Sequence, residues 1–560
     1  MTRTTRIVMT ASALAGLAVA ASAQDDEDAR PARPAPPAVL VVAPTVPDWL
    51  TWGYDQQRTG WNRGETTLDK KNVSKLKLLW STKVSTPPIN TALTTLTSPI
   101  VVSGVATTGG SKDMVYVVGI DDTVFGLDAA SGAVVWQKTF TNPNTALRKS
   151  TVNCGNTEQA TPVADKANGV LYLTTGDGKL RGLALADGAE KIAPTQMVAP
   201  YSRNWSLNLV GNLVYTAAGR GCGGTKEQPI EPGTVAAMDI SDPAHPKLSR
   251  FYTGKGRPAG PWGAGGPVLG TQGLYVSTAD GPNNPGGGVY GNMILAVRPG
   301  ASGLNDSFVP PNWRVLNAKD LDLGSGGPVI FSFGARTLAA TAAKEGVVYL
   351  LDANNLGGFD HTKALYTSTR LGNDDATYWG HGVWGGMTVY QTAAGERWLY
   401  VPMWGPPAKD GPKYPLSYGD APDGSIMAFK IVADGDAVKM DPMWISRDLN
   451  PSAPPAVANG VVYALQAAEH TNQHPNNPEG HGRTTDGKPP PTEDELGVYR
   501  TSPASTMTLF ALDAETGKEL WSSKKAMDGQ TTHFAEPVVA LGKLFVVDHN
   551  AHVWAFGLKK

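Results

Sequence analysis

The chain has 560 residues and a formal net charge of −2 at pH 7. This nearly neutral balance argues against a nucleic-acid-binding protein, which would carry a strongly basic surface. Hydrophobic residues make up 41 % of the sequence, which is enough for a large core, and the 64 glycines and 43 prolines indicate frequent turns.

The N-terminus predicts an exported protein. Residues 1–23 contain two arginines, a short apolar run and the small residues Ala-Ser-Ala, which is the pattern of a secretory signal peptide. The run is too short to span a bilayer comfortably, and no later window suggests a transmembrane segment. Residues 24–47 are charged and rich in proline and alanine, as in a disordered linker. We therefore expect a periplasmic or extracellular location.

The remaining sequence repeats one pattern of strands and turns. Three copies read MVYVVGIDDTVFGLDAASGAVVWQKTF (114–140), GVLYLTTGDGKLRGLALADGAEKI (169–192) and STMTLFALDAETGKELWSS (505–523). Each copy has an apolar strand, a turn with Gly or Asp, a second strand and a polar turn that ends in Gly. Such units indicate antiparallel strands, and many units in series predict a β-propeller.

Counting the units predicts an all-β, eight-bladed propeller of four-stranded antiparallel blades over residues 48–560. Strand pairs begin near residues 99, 160, 205, 265, 325, 381, 455 and 535. The segment 75–84 is an additional strand, and we expect it to pair with 552–558 and close the last blade, because closure removes open sheet edges. Residues 466–504 read as a long loop insertion. Two stacked β-sandwiches are the alternative.

The repeats ALDAETGKELW and GLDAASGAVVW resemble the tryptophan-docking repeats of pyrroloquinoline quinone (PQQ) propellers. The stretch TWGYDQQRTGWN…NVSKLKLLWSTKV resembles the start of quinoprotein alcohol dehydrogenases, and the likeness covers about residues 50–558. The resemblance implies an oxidoreductase that binds PQQ and Ca²⁺ and acts on an alcohol-type substrate. The repeat also occurs in non-catalytic propellers, so it does not by itself imply activity.

The resemblance assigns candidate residues for such a site. Trp262 matches the tryptophan that stacks on the quinone, and Asp280 stands at the spacing of a calcium-ligand asparagine. Glu227 lies close to the place of a ligating glutamate, with Glu231 as a competitor. Lys344 matches the basic residue that contacts the quinone oxygens. Blade packing for Trp262, a turn for Asp280 and a solvated loop for Glu227 are the structural alternatives.

The sequence departs from the family pattern in two places. Family members often stack a disulfide between adjacent cysteines on the quinone, but here Cys154 is followed by Gly155, and Gln159 stands where an arginine is expected. The loop that should carry the catalytic aspartate reads NNPGGGVYGN and has no carboxylate. The catalytic base is therefore unassigned. The sequence has no C-x-x-C-H motif, so no covalent haem is expected and electrons would leave through a separate acceptor.

The two cysteines, Cys154 and Cys222, are the only ones in a chain that we expect to be exported. Disulfides persist outside the cytosol. With Cys154 where the resemblance places a sulfur, and Cys222 five residues before Glu227, we predict a Cys154–Cys222 disulfide between neighbouring blades. Two free buried thiols are the alternative.

Three further groups contain clustered titratable residues. Asp374, Asp375, His381 and Trp384 form a dense cluster that suggests a funnel loop, although blade packing is the favoured interpretation. Asp320 and Asp322 resemble a stretch that lines the family pocket, or form a turn. His470, His474 and His481 have spacing that can bind a transition metal, but a surface loop is favoured.

Two classes of function remain open from the sequence. The first is an exported PQQ- and calcium-dependent dehydrogenase with a small-molecule alcohol substrate. The second is a non-catalytic propeller that binds proteins or serves as an envelope-assembly scaffold.

Overall fold

The computed structural model describes residues 47–86, 94–141, 160–219, 231–256, 259–374, 380–435, 437–450, 453–472, 491–531 and 533–559. The described residues form an eight-bladed β-propeller, as predicted. In this described part, no helix has both the length and the apolar character needed to cross a membrane.

The first four blades follow one another along the chain, after a strand β1 that belongs to the eighth blade. The strands are β1 (Leu76–Lys83); β2 (Ile100–Thr107), β3 (Gly110–Val118), β4 (Thr123–Asp128) and β5 (Val134–Thr139) in blade 1; β6 (Val163–Asp165), β7 (Val170–Thr174), β8 (Lys179–Ala184) and β9 (Thr195–Gln196) in blade 2; β10 (Asn208–Val210), β11 (Leu213–Ala218), β12 (Thr234–Asp239) and β13 (Lys247–Tyr252) in blade 3; and β14 (Pro261–Trp262), β15 (Val268–Gly270), β16 (Gly273–Thr278), β19 (Ile294–Val297) and β20 (Leu304–Phe308) in blade 4, with the hairpin β17 (Asn283–Asn284) and β18 (Val289–Tyr290) inserted.

The last four blades continue the same order. The strands are β21 (Val329–Phe333), β22 (Arg336–Ala342), β23 (Val348–Asp352) and β24 (Tyr366–Thr367) in blade 5; β25 (Gly382–Val383), β26 (Thr388–Gln391), β27 (Arg397–Trp404), β28 (Leu416–Ser417), β29 (Gly424–Asp434) and β30 (Ala437–Ile445) in blade 6; β31 (Ala456–Ala458), β32 (Val461–Gln466), β33 (Thr508–Asp513) and β34 (Glu519–Ser522) in blade 7; and β35 (Val538–Ala540), β36 (Lys543–Val547) and β37 (His552–Leu558) in blade 8.

Blades 4 and 6 have five and six strands, so the prediction of four strands per blade does not hold there. The helices are short: α1 (Trp313–Lys319), α2 (Glu493–Arg500), and 3₁₀ turns at Val73–Lys75, Pro285–Gly287, Pro299–Ala301 and Leu323–Gly326. α2 lies in the predicted insertion 466–504 and begins at a capping box, in which the hydroxyl of Thr492 accepts from the backbone N–H of Glu495.

Strand burial follows position within the blade. The second strand of blade 4, β16, is buried along its whole length because it faces neighbouring blades on both sides. The outer strand β5 instead alternates between exposed and buried residues, and its Trp136 points inward. The Trp136 indole N–H donates to the carbonyl of Leu185 in the next blade (2.9 Å), and its ring packs on Gly188. Gly188 has φ +73°, which favours glycine, and a Cβ there would lie 2.8 Å from the ring.

A strand pairing and a similar tryptophan contact close the propeller between its first and last strands. β1 pairs with β37 from Leu76 opposite Leu558 to Lys83 opposite His552, which confirms the predicted closure. Trp80 of β1 then donates to the carbonyl of Ala129 in blade 1 (3.3 Å). The first and last strands of the propeller are therefore joined both by a sheet ladder and by a tryptophan contact.

Residues 48–62, which we call the N-terminal ring, contact every blade in chain order along the inner strands. The backbone contacts are Trp49 with Val101, Leu50 with Ala164, Gln56 with Leu269, Gln57 with Ile330, Thr59 with Val389, and both Gly60 and Asn62 with Val457. Side chains contact the two remaining blades, through the Thr51 hydroxyl to the Leu207 carbonyl and the Asn62 amide to the Val539 carbonyl. The ring thus fills part of the channel.

Arg58 holds the N-terminal ring in its curved shape. Its guanidinium group is buried and donates to the Thr51 hydroxyl (2.6 Å), the Trp52 carbonyl (2.8 Å) and the Leu207 carbonyl (2.9 Å). Burial lowers the pKa of Arg58 to about 10, and the nearby Glu536 carboxyl opposes that shift. Glu536 accepts from the Gly53 N–H (2.7 Å).

We predict that Arg58→Met lowers the free energy of unfolding by about 3 kcal/mol, because the buried carbonyls of Trp52 and Leu207 lose charged donors. Chemical denaturation followed by fluorescence and circular dichroism measures this change. Arg314→Met is the matched control, since Arg314 is exposed. Equal stability of the Arg58 and Arg314 variants would contradict the role given to Arg58.

Candidate functional site

The candidate site lies at one end of the channel. Consecutive strands in a blade are antiparallel, so the second strand of each blade ends at the same end of the channel at which the first strand of the next blade begins. Asp280 follows β16 and Lys344 follows β22, both of which are second strands. Trp262 ends the short strand β14, which pairs with the last residues of β16, and Asp322 lies in the connection that leads into the first strand β21. Topology therefore brings these four residues to the same end.

Three aspartates form what we call the carboxylate cluster: Asp280, Asp320 and Asp322. One oxygen from each lies within 4.8 Å of the others. Lys344 neutralises part of this charge, because its Nζ donates to Asp322 Oδ2 (2.7 Å), to the Asp320 carbonyl (3.1 Å) and to Asp320 Oδ1 (3.4 Å). The Asp280 backbone N–H donates to Asp322 Oδ1 (2.9 Å). The cluster thus has more carboxylates than cations.

Burial and interactions within the carboxylate cluster shift the pKa values of its members in opposite directions, so the members differ in protonation state. Burial raises the pKa of Asp280 to about 9, and the Asp322 charge adds to this shift. Burial opposes ionisation of Asp322 as well, but Lys344 and the bonds from Asp280 outweigh it and hold the pKa of Asp322 well below its usual range. Near neutral pH, Asp280 therefore keeps a proton while Asp322 is ionised.

Asp320 and Lys344 complete the electrostatics of the cluster. Loss of hydration raises the pKa of Asp320 to about 6, although the Lys344 ammonium opposes this shift. Asp320 is also the more open carboxyl group, with 40 % of its side chain exposed against 7 % for Asp322. For Lys344, burial favours the neutral amine, but Asp322 and Asp320 outweigh burial, so its pKa is raised and the amine stays charged.

The loop that carries Asp280 is fixed by α1, which sequence periodicity did not reveal. Asn317 of α1 accepts from the Gly281 N–H (3.0 Å) and donates to the Gly281 carbonyl (2.6 Å). Asn292 donates to Asn317 Oδ1 (2.6 Å) and accepts from the Leu323 N–H (2.9 Å). These bonds tie the loop after β16 to the segment that carries Asp320 and Asp322.

An aromatic wall borders the carboxylate cluster. It consists of Trp262, Trp384, Trp404, His533 and Phe534. The ring of Trp262 is half-buried and meets Trp384 edge-on, with centroids 5.3 Å apart. Trp384 stacks on Trp404 (5.2 Å) and on Phe534 (6.1 Å). Lys344 Nζ lies 4.7 Å from the Trp262 ring centroid and 5.1 Å from that of Trp384. One cation therefore touches both the carboxylates and the wall.

The far part of the aromatic wall contains an acid–base pair that sequence patterns did not indicate. His533 Nδ1 lies 2.5 Å from Glu469 Oε2, and the two side chains are 3 % and 4 % exposed. The His533 ring packs against three aromatic rings. The centroid-to-centroid distances are 3.8 Å to Phe534, 5.6 Å to Trp404 and 6.1 Å to Trp384. The pair is 64 residues apart in sequence and belongs to no motif, so no local pattern could have revealed it.

The structure brings together Trp262, Asp280 and Lys344, which the resemblance assigned to the site. It places Asp320, Asp322 and Trp384, also singled out from the sequence, beside them. Glu231 is half-buried just before β12. Cys154, Gln159, Cys222, Glu227 and Asp375 lie outside the described residues, so the expected disulfide, the role of Cys154 and the ligand role of Glu227 stay predictions.

The remaining candidates have other surroundings. The Asp374 carboxylate accepts from the Lys409 N–H (3.1 Å). The His381 carbonyl accepts from the Trp384 indole (3.2 Å), and its ring lies close to Gly405. His470 stacks on Tyr499 of α2, with centroids 4.0 Å apart. His474 and His481 lie outside the described residues, and so the three-histidine metal hypothesis stays a prediction.

Comparison with known proteins supports this architecture. A model of the family described as outer membrane protein assembly factor BamB matches residues 75–242 and 458–560. The chain has no match among curated proteins.

Solved structures share the fold at low identity. A europium-containing methanol dehydrogenase is 15 % identical, with 91 % of this chain and 98 % of that chain covered and a TM-score of 0.59. A quinohemoprotein alcohol dehydrogenase from Comamonas testosteroni is 16 % identical, with 92 % of this chain and 81 % of that chain covered and a TM-score of 0.59. The quinohemoprotein alcohol dehydrogenase ADHIIG from Pseudomonas putida HK5 is 15 % identical, with 94 % of this chain and 83 % of that chain covered and a TM-score of 0.57. The resemblance inferred from the repeats is confirmed for the fold: the described residues form an eight-bladed β-propeller similar to those of the quinoprotein alcohol dehydrogenases.

Proposed function

We propose that this chain is an exported oxidoreductase of the quinoprotein alcohol dehydrogenase type. PQQ and a polyvalent cation would bind between the carboxylate cluster and the aromatic wall. The observation that carries the proposal is the convergence of three carboxylates, one buried ammonium group and a half-buried tryptophan at one end of the channel. Neither a blade contact nor a turn requires this concentration of charge.

The carboxylate cluster fits a hard cation by its donor chemistry. Ca²⁺ takes oxygen ligands at about 2.3–2.6 Å, so two of its ligands are at most about 5 Å apart. The cluster oxygens, within 4.8 Å of one another, meet that limit. Three carboxylates opposed by one Lys344 leave negative charge for the cation to neutralise. Because one structural neighbour is a europium-containing dehydrogenase, trivalent lanthanides are a second choice of ion to test.

The described residues fit one face and one edge of a flat quinone. Trp262 offers a partly open ring for stacking, and Lys344 lies over that ring as a cation for the quinone oxygens. When bound, PQQ would supply the two-electron acceptor for alcohol oxidation, and the cation would act as a Lewis acid. The opposite face, for which the resemblance implies Cys154, belongs to the part of the chain outside the described residues.

The protein side chains would have separate tasks in this reaction. Trp262 would orient the quinone and exclude water from one face. Lys344 would keep Asp322 ionised, and Asp322 would serve as a permanent cation ligand. Asp280 would ligate the cation after losing its proton. Electrons would leave to a separate acceptor.

A scaffold that binds envelope proteins is the second candidate, and the match to the BamB family model favours it. That model does not match residues 243–457, which include Trp262, the carboxylate cluster and Lys344. The site thus falls in the part of the chain that the scaffold family does not account for. For this reason we rank the oxidoreductase first.

We predict that Ca²⁺ binding to the carboxylate cluster releases about one proton per ion below pH 9, because Asp280 must ionise to become a ligand. Since binding requires the deprotonated form, the affinity should rise about tenfold per pH unit between pH 6.5 and 8.5. Titration calorimetry at several pH values measures this slope. Asp280→Asn should bind more weakly and lose the slope.

Asp441→Asn is the matched control for Asp280→Asn, because the Asp441 side chain is 47 % exposed on the outer strand β30. It should keep both the affinity and the pH dependence of the unmodified chain. A pH-independent affinity in the unmodified chain would contradict the assignment of Asp280 as a ligand.

Reconstitution tests the proposed function directly. We predict that purified protein with PQQ and Ca²⁺, or with a lanthanide, retains a quinone absorbance after gel filtration and reduces an artificial acceptor when an alcohol is added. Trp262→Ala should lower quinone affinity by about tenfold or more through loss of stacking, while cation binding persists. Phe359→Ala is the control, because Phe359 is fully exposed.

The absence of quinone binding with every cation would contradict the oxidoreductase. The scaffold candidate would then be tested by affinity capture of envelope proteins with the propeller surface intact.

A further inference from the structure

The proposed reaction requires a base that is not a cation ligand. A carboxylate that ligates a cation is weakly basic, and Asp322 is also committed to Lys344 and to the backbone N–H of Asp280. The loop between Asn283 and Asn292, where the resemblance places a catalytic aspartate, has no carboxylate. The base must therefore come from another element at the same end of the channel.

The Glu469–His533 pair has the right position for this task. Glu469 follows β32, a second strand, and His533 precedes β35, a first strand, so both lie at the same end as Asp280 and Lys344. The link to the site is a chain of ring contacts. His533 meets Trp384 at 6.1 Å, and Trp384 meets Trp262 at 5.3 Å. His533 is therefore part of the aromatic wall that borders the carboxylate cluster, and two ring contacts separate it from Trp262.

The pair also has the right chemistry. Glu469 engages Nδ1 of His533, which directs the basic lone pair to Nε2 when the imidazole is neutral. Among the described residues, Nε2 forms no hydrogen bond. A histidine whose Nδ1 is held by a carboxylate is the usual arrangement of a general base with its orienting group. A purely structural pair would be expected to use both ring nitrogens in a buried setting.

We propose that His533 is the general base of this site and that Glu469 is its positioning residue. This inference rests on the proposed function. The O–H bond of the alcohol breaks as a bond from its proton to Nε2 forms. PQQ, if bound as proposed, would supply the acceptor for the α-hydrogen with its electron pair, so that the alcohol would be oxidised to a carbonyl compound. The proton then leaves His533 to solvent.

Steady-state kinetics of the reconstituted protein tests the roles. His533→Gln should lower kcat about 100-fold, the usual size of a general-base contribution, while KM and cation affinity change less than about threefold. Glu469→Gln keeps an acceptor near Nδ1 but loses its charge, and it should lower kcat by about tenfold or more. His245→Gln is the control, because His245 pairs with Asp242 in the same way at the exposed surface.

A chemical probe tests the geometry without turnover. Diethyl pyrocarbonate acylates accessible neutral imidazole nitrogens, and mass spectrometry locates the product. Because the His533 side chain is only 3 % exposed, we expect it to react slowly in the protein without quinone, and PQQ with Ca²⁺ should slow that reaction about tenfold further. His245, whose side chain is 81 % exposed, should react equally in both states.

The outcomes separate this inference from the proposed function. Alcohol oxidation that survives in His533→Gln, or a His533 that does not react or is not protected, would overturn the assignment of the base and leave the oxidoreductase intact. Failure of the unmodified protein to bind quinone would overturn both.

Discussion

The N-terminal ring is the constraint on which the rest of the molecule depends. Residues 48–62 bond to the inner strands of all eight blades, and β1 then completes the last sheet. One backbone hydrogen bond contributes only about 1 kcal/mol net. Together, however, these bonds join blades that are up to several hundred residues apart in sequence. The blades cannot separate along any interface without breaking contacts of the ring or the ladder between β1 and β37.

The N-terminal ring also contacts the residues around the candidate site. The indole of Trp52 packs so closely on the blade 4 and blade 6 connections that a Cβ at Gly265 or Gly386 would lie 2.8 or 2.6 Å from it. Trp52 Nε1 donates to the carbonyl of Phe534 (3.4 Å), which belongs to the aromatic wall. The N-terminal ring therefore contacts the aromatic wall directly through Trp52 and helps to hold it in position.

The parts of the fold that were predictable from sequence are those encoded by local patterns. Alternating apolar strands and the turns before Trp136 and Trp521 predicted the blades. The additional strand around Trp80 predicted that the first and last strands pair to close the propeller. Trp262, Asp280 and Lys344 came from resemblance to a family, since nothing local distinguishes them from packing and turn residues. The N-terminal ring and the Glu469–His533 pair were missed because their partners lie far away in sequence. Asn317 was missed because α1 is too short for a periodic signal.

Stability and binding make opposite demands on the candidate site. A propeller that only needed to be stable would gain nothing from three carboxylates crowded around one buried ammonium, because desolvation of such charges is costly and only partly repaid. The protein lowers that cost by keeping a proton on Asp280 and by pairing Asp322 with Lys344. A polyvalent cation would remove the same cost by displacing the proton, which couples its affinity to the protonation of one residue. The charge imbalance is thus easiest to explain as a site adapted to a ligand that the polypeptide does not itself supply.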